Sequence, residues 1–245
     1  MKKSKLTVGM VVLLYIGFVV FQFNSNDYWA TALDALILPL ITLAYFQDQT
    51  KPNLYFSIFL IFYSISDIIA GISLFKFAWI NENIPHIYIY LIGNGFYIVA
   101  YLALLTKILQ SLSLQYIIKN FKFHLIVLAV LNIYIGYVLQ NIVNPHLEFT
   151  VQYFIELIYN GSMLLVLSAS LLNYFYKDNR KSLLLFLGSL AIVFSEVIGV
   201  AYLYVAEQNL LNFLATTLTV MAFYFYYKQA SLNNEEIKGL VSSND

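Results

Sequence analysis

Two acidic residues lie in the middle of long apolar runs, where charged side chains are rare. Asp67 follows a serine within the apolar run 54–76, and Glu196 follows a serine within the apolar run 182–205. If these runs cross a bilayer, an ionised carboxylate at that depth costs several kcal/mol unless it is paired, protonated or hydrated. Each acid could instead hydrogen-bond a neighbouring helix and only stabilise the bundle. Because acids in this setting mark functional sites by default, we predict that Asp67 and Glu196 belong to a functional site.

The composition indicates an integral membrane protein. The chain has 245 residues, of which 61% are hydrophobic and 11% are charged, whereas soluble domains carry about 25% charged residues. Its net charge of zero argues against nucleic acid as a partner. It has no cysteine, which excludes disulfides and thiolate chemistry. The three histidines have no zinc-site spacing, so we expect neither a metal nor another cofactor.

Eight apolar runs are long enough to cross a bilayer, which takes about 20 residues. The first, 6–23, resembles a signal peptide, but no small-residue cleavage site follows it, and we interpret it as a retained span. The predicted fold is therefore all-α: a bundle of about eight transmembrane helices in a single domain over 1–230, followed by a polar, disordered cytoplasmic tail over 231–245. The other runs are 28–46, 54–76, 86–108, 122–140, 150–176, 182–205 and 209–228.

The basic residues predict the orientation of the bundle. With eight spans, twelve of the thirteen lysines and arginines fall on the side that holds both termini, and only Lys76 falls on the other. Basic residues concentrate in cytoplasmic loops, so both termini are predicted to be cytoplasmic. We expect a multi-pass protein of the bacterial inner (plasma) membrane.

The positions of the two acids suggest an internal repeat. Four spans separate Asp67 from Glu196, which predicts a parallel repeat of two four-helix halves, roughly 1–110 and 120–230. Asp67 comes 14 residues after Asn53 at the start of its span, and Glu196 comes 14 residues after Ser182. At 1.5 Å per residue, both acids lie about 20 Å from the cytoplasmic edge. Acids at one depth on corresponding helices can face each other across a shared cavity.

Further polar residues fall at the same depth and predict the wall of that cavity. The wall would come from spans two, three, four, six, seven and eight. Taken singly, such residues more often form interhelical hydrogen bonds, and tyrosines more often form interfacial belts. Their common depth favours a pocket that opens toward the outer half of the membrane. The predicted substrate-binding residues are Asp34, Asn94, Tyr97, Glu156, Asn160 and Thr216.

At these residues the chain resembles the YhhN family, whose animal members are lysoplasmalogenases. Asp67, preceded by a serine, resembles the family's acid in span three, and the stretch 187–196 resembles a segment that ends in an acid in span seven. Asn94 and Tyr97 resemble a His-x-x-Tyr pattern in span four. The chain departs from the family at two of these positions: Glu196 replaces an Asp, and Asn94 replaces the His.

The resemblance implies hydrolysis of the vinyl ether of a lysoplasmalogen, a membrane lipid, to an aldehyde and a glycerophospho head group. Asp67 and Glu196 would then be the catalytic pair: one carboxyl would protonate the vinyl carbon, while the other, ionised, would stabilise the oxocarbenium ion and activate water. Two alternatives stay open. The protein could be a proton-coupled transporter or lipid-binding membrane protein, or a catalytically inactive relative, as the departures at Asn94 and Glu196 suggest. The sequence leaves the oligomeric state open, a homo-oligomer included.

Overall fold

Helices make up nearly all of the chain that the computed structural model describes, which is residues 2–74, 86–145 and 149–232. Eight of these helices are long and apolar enough to cross a membrane, which confirms the predicted all-α fold and its eight spans. The described helices are α1 (Lys2–Phe23), α2 (Asp27–Asp48), α3 (Leu54–Leu74), α4 (His86–Leu109), α5 (Leu114–Asn120), α6 (Lys122–Val143), α7 (Val151–Lys177), α8 (Arg180–Tyr204) and α9 (Asn209–Ser231).

One predicted loop contains a helix in the structure, and one predicted segment lies mostly outside the described residues. The connection 107–122 is predicted as a loop, but α5 forms within it because Ser113 accepts a hydrogen bond from the backbone N–H of Tyr116 and caps the helix. The polar tail predicted for 231–245 lies outside the described residues from position 233 onward.

Local capping fixes the reversal between α7 and α8. Asp178 adopts the left-handed conformation, with φ of 44°, directly after α7. Asn179 then accepts a hydrogen bond from the backbone N–H of Ser182, and the Ser182 hydroxyl accepts one from the backbone N–H of Asn179. This capping box starts α8 after a turn of two residues. The two helices are therefore antiparallel neighbours, and the lysines that flank the turn lie together.

Six of the spanning helices close into a ring. Around it, each helix contacts the next in the order α2, α3, α4, α7, α8 and α9, and α9 contacts α2. Helix α1 lies outside the ring against α2 and α9, and α6 lies outside it against α7 and α8. The predicted repeat relates α2–α3–α4 to α7–α8–α9, and the ring contacts follow that relation. The outer helices depart from it, because the repeat would place α6 against α4.

Both ends of the described chain lie at the same end of the bundle. Near the start of α1, the Ser4 hydroxyl lies 3.4 Å from that of Tyr227 in the last turns of α9. The Lys181 ammonium at the start of α8 donates to the carbonyl of Leu232 at 2.8 Å. We call this the lysine-rich end of the bundle, and the opposite end the distal end.

The outer surface of the bundle is apolar, as contact with lipid requires. Leu13 on α1 is 69% exposed, and Ile133 on α6 is 73% exposed. Such side chains would cost free energy in water but not in a hydrocarbon environment. The protein is accordingly a multi-pass membrane protein.

Candidate functional site

A cavity of about 270 Å³ lies inside the ring, in the distal half of the bundle. Three carboxylates line it: Asp34 from α2, Asp67 from α3 and Glu196 from α8. The two acids singled out from the sequence therefore share one cavity, and a third acid joins them. The other polar residues of the lining are Thr31, Tyr63, Tyr97, Ser195, Asn212, Thr216 and Thr219.

A serine positions each of the two predicted catalytic acids. Ser66 on α3 donates its hydroxyl to the carbonyl of Gly93 on α4 at 2.6 Å. Ser195 on α8 donates to the carbonyl of Ala215 on α9 at 2.7 Å. These bonds join each acid-bearing helix to the helix that follows it. The acid, one position further along, then lies on the cavity wall.

Asp67 and Asp34 each accept one hydroxyl from a different neighbouring helix. The Tyr97 hydroxyl on α4 donates to Asp67 Oδ1 at 2.5 Å. The Thr216 hydroxyl on α9 donates to Asp34 Oδ2 at 3.3 Å. Both contacts involve residues predicted as substrate-binding, and both hold an acid at the edge of the cavity.

Glu196 is surrounded by tyrosine hydroxyls. Tyr63 and Tyr101 each donate to Glu196 Oε1 at 3.3 Å. Tyr159 on α7 provides a third hydroxyl contact to this carboxylate. Because donors from three helices converge on it, Glu196 sits in a fixed polar shell although apolar helices surround the site.

The tyrosine rings connect the two acids. Tyr63, which bonds Glu196, packs against Tyr97, which bonds Asp67, with ring centroids 4.7 Å apart and planes at 71°. Tyr101 lies 5.8 Å from Tyr63 in an edge-to-face arrangement. Such pairs contribute about 0.5–1.5 kcal/mol beyond their buried area. A continuous set of ring contacts therefore links the hydroxyl partners of the two acids.

Three predicted substrate-binding residues lie elsewhere, which corrects their expected place in the cavity wall. Asn94 donates to the backbone carbonyl of Tyr90 within α4 at 2.9 Å. Glu156 accepts the Tyr90 hydroxyl at 2.5 Å. Asn160 lines a separate groove between α6 and α7. Helix α7 reaches the site only through Tyr159, because its polar face turns away from the ring interior.

An aromatic layer lies between this cavity and the lysine-rich end of the bundle. Phe59 and Phe223 stack with centroids 5.5 Å apart and planes at 10°. Tyr226 meets Phe59 edge to face at 5.3 Å, and its hydroxyl donates to Ser189 at 3.1 Å. All three rings are fully buried. Beyond this layer lies a second polar cavity, which contains none of the three acids.

Within the described residues, no group of three or more His, Cys, Asp or Glu side chains could hold a metal ion. The fold and the site together define a multi-pass helical membrane protein with an intramembrane cluster of carboxylates and tyrosines. No family model, curated protein or solved structure matches the chain.

Proposed function

We propose that the protein is a membrane-embedded hydrolase that cleaves the vinyl ether of a lysoplasmalogen-like lipid by acid–base catalysis. The observation that carries the proposal is the placement of Asp67 and Glu196, with fixed hydroxyl partners, in the wall of one cavity. The cavity lies within the apolar bundle, and in this proposal the lipid reaches it from the bilayer. Its volume of about 270 Å³ suits the linkage and head-group portion of such a lipid.

The two acids take different roles in this proposal. Asp67 is the proton donor: its proton adds to the vinyl carbon remote from the ether oxygen, and the positive charge develops as an oxocarbenium ion. Glu196 stabilises that ion as a carboxylate, because its charge is spread over several hydroxyl donors. Glu196 then accepts a proton from the attacking water. As the hemiacetal collapses, Glu196 returns its proton to the departing glyceryl oxygen and Asp67 takes up the proton of the hemiacetal hydroxyl. An aldehyde and the glycerophospho alcohol form, one water is consumed, and both acids regain their starting protonation states.

The direct test is aldehyde release by the purified protein in detergent. A lysoplasmalogen and the matching lysophospholipid ester are supplied separately, and we expect aldehyde from the first and no hydrolysis of the second. Asp67→Asn and Glu196→Gln should abolish turnover, because an amide keeps the shape but neither delivers the proton nor carries the charge. Glu156→Gln is the matched control, since Glu156 is an intramembrane acid outside the cavity.

Failure of this test has a defined meaning. Aldehyde release that survives both amide substitutions, at matched protein levels, would overturn the catalytic pair. A wild-type protein that releases no aldehyde, and whose amide variants are as stable or more stable, would favour an inactive relative, because a structural acid gains stability when its buried charge is removed.

A transporter is the second candidate, and one observation favours it. Polar cavities lie at both ends of the ring, and the aromatic layer of Phe59, Phe223 and Tyr226 separates them. An alternating-access mechanism requires such a barrier between two openings.

The absence of cysteine from the sequence provides a clean test of this alternative. Thr31→Cys places a thiol in the distal cavity, and Ser111→Cys places one in the cavity at the lysine-rich end. An impermeant thiol reagent applied to one face of sealed vesicles should label only one of the two variants if the protein is a hydrolase with a fixed barrier. Labelling of both from one face, promoted by a solute, would favour transport.

A further inference from the structure

A second polar cavity, of about 640 Å³, lies at the lysine-rich end of the ring and has a strongly basic lining. Four lysines contribute to it: Lys51, Lys107, Lys177 and Lys181. None of the described residues in the lining is an Asp or a Glu. Side-chain amides complete the polar surface, and they belong to Gln49, Asn53, Gln110, Asn173, Asn179 and Gln229.

The preference for basic residues on one side of a membrane does not account for this arrangement. That preference is satisfied by lysines anywhere in the loops, and Lys119 and Lys122 are examples that are exposed. Here the turn at 178–179 instead brings Lys177 and Lys181 to one wall. Lys107 belongs to the last turn of α4 rather than to a loop, and its ammonium lies 4.2 Å from the centroid of the Phe56 ring. Like charges that converge in one cavity repel each other unless an anion lies between them.

Two further features of this cavity suit an anion. Asn53 and Asn179, the residues directly before α3 and α8, line this cavity, so the positive ends of two helix dipoles lie at it. Gln229 is only 1% exposed, and its amide nitrogen Nε2 has no hydrogen-bond partner in the described structure. A buried donor without an acceptor is rare in native proteins and calls for a missing partner.

We propose that this cavity binds a phosphate-bearing anion through Lys107, Lys177 and Lys181, with Lys51 at the entrance. Four cations with no carboxylate among the described residues of the lining suit a ligand that carries two or more negative charges, such as a phosphomonoester or a pyrophosphate group. The ammonium groups act as point charges, and the amide of Gln229 supplies a neutral donor. A free phosphate compound and the head group of an anionic phospholipid share this chemistry. The proposal does not depend on the chemistry of the distal cavity.

The test uses the full-length protein in neutral detergent at constant ionic strength. Inorganic phosphate and pyrophosphate are titrated, and binding is measured by calorimetry and by the shift in melting temperature. We expect saturable binding of pyrophosphate by the wild type, weakened about tenfold or more in Lys107→Met, which removes the charge but keeps the length. Lys122→Met is the matched control: Lys122 is exposed and lies outside this lining, so binding should be unchanged.

A lipid arm separates the two sources of the anion. The protein is reconstituted with phosphatidic acid or with phosphatidylcholine, and retained lipid is counted by native mass spectrometry. Selective retention of phosphatidic acid that is lost in Lys107→Met assigns a lipid head group, whereas pyrophosphate binding alone assigns a free anion. The proposal is overturned if no probe binds saturably, or if Lys107→Met binds as tightly as Lys122→Met. Should Lys107→Met fail to fold, Lys51→Gln at an exposed loop position takes its place under the same criteria.

Discussion

Ser66 and Ser195 make the same kind of contact in the two halves of the bundle. Each donates its hydroxyl to a backbone carbonyl of the next helix, at 2.6 Å to Gly93 and 2.7 Å to Ala215. In each half the serine joins the acid-bearing helix to the helix that follows it. The acid beside it lies on the cavity wall and accepts hydroxyls of its own, from Tyr97 at Asp67 and from Tyr63 and Tyr101 at Glu196. The loss of a serine contact can therefore be tested separately from the loss of an acid.

We predict that replacing either serine lowers the stability of the protein while both acids stay in place. Ser66→Ala and Ser195→Ala should each lower the free energy of unfolding by about 1 kcal/mol, because an interhelical hydrogen bond in a membrane protein contributes about 0.6 kcal/mol on average and at most about 1.7. Thermal unfolding in detergent measures the effect. Ser231→Ala is the control, since its hydroxyl bonds only within its own helix end, to Lys228. Equal melting temperatures for all three variants would contradict a role of Ser66 and Ser195 in joining the helices.

Close approach of two helices at the cavity predicts a second stability effect. A Cβ at Gly71 on α3 would lie 2.7 Å from the Cβ of Ala35 on α2, and neither atom can rotate away. Gly71→Ala must therefore separate the helices, at a cost of about 1–3 kcal/mol. Gly199 lines the same cavity, but a Cβ there would meet nothing within 4 Å. Gly199→Ala should thus melt at or above the wild-type temperature, and a similar loss in both variants would rule out the helix contact as the cause.

The spans could be predicted from the sequence because length and hydrophobicity decide them almost alone. The run predicted at 182–205 is the helix Arg180–Tyr204, and the run at 28–46 is Asp27–Asp48. The short helix α5 was not predicted, because its formation depends on one capping serine, Ser113, rather than on periodicity. Depth along a helix is also fixed by counting residues, which is why Asp67 and Glu196 could be placed in one cavity.

Rotation about the helix axis could not be predicted in the same way. A spacing of four places Glu156 and Asn160 near one helical face, but it does not say which neighbour that face meets. Their face turns toward Tyr90 and α6 rather than toward the cavity.

The tyrosines that bond Glu196 could not be predicted for another reason. With 21 tyrosines in the chain, each resembles an interfacial belt residue. The available signal was the position of Tyr63 one helical turn before Asp67, together with the same spacing between Tyr97 and Tyr101.

The orientation of the bundle is a prediction that reporter fusions can test. Fusions after Asn26, Asn144 and Gln208 should report the outside, and those after Lys51 and Asn179 the inside, because the lysine-rich end faces the cytoplasm under the positive-inside rule. The proximity of Ser4 to Tyr227 requires both chain ends to report the same side. An inverted pattern at every site would reverse the orientation. An inversion confined to the second half would instead contradict the eight-span topology.

The last prediction concerns the length of the side chain at Glu196. Its Oε1 accepts hydroxyls from Tyr63 and Tyr101 at 3.3 Å, already near the limit of a hydrogen bond. Glu196→Asp keeps the charge but withdraws the carboxyl by one methylene. Because a misplacement of about 1 Å at a reacting group can cost about a hundredfold in rate, we expect turnover to fall roughly ten- to a hundredfold while staying above that of Glu196→Gln.

Aldehyde release at matched protein levels measures this difference. Glu156→Asp is its control, because it shortens an intramembrane acid that bonds Tyr90 outside the cavity, and its turnover should equal that of the wild type. If Glu196→Asp and Glu196→Gln were equally inactive, position rather than charge would decide the reaction. If Glu196→Asp were as active as the wild type, the tyrosine contacts would have no part in positioning the carboxylate, and the assignment of Glu196 as the charge-stabilising group would lose its geometric basis.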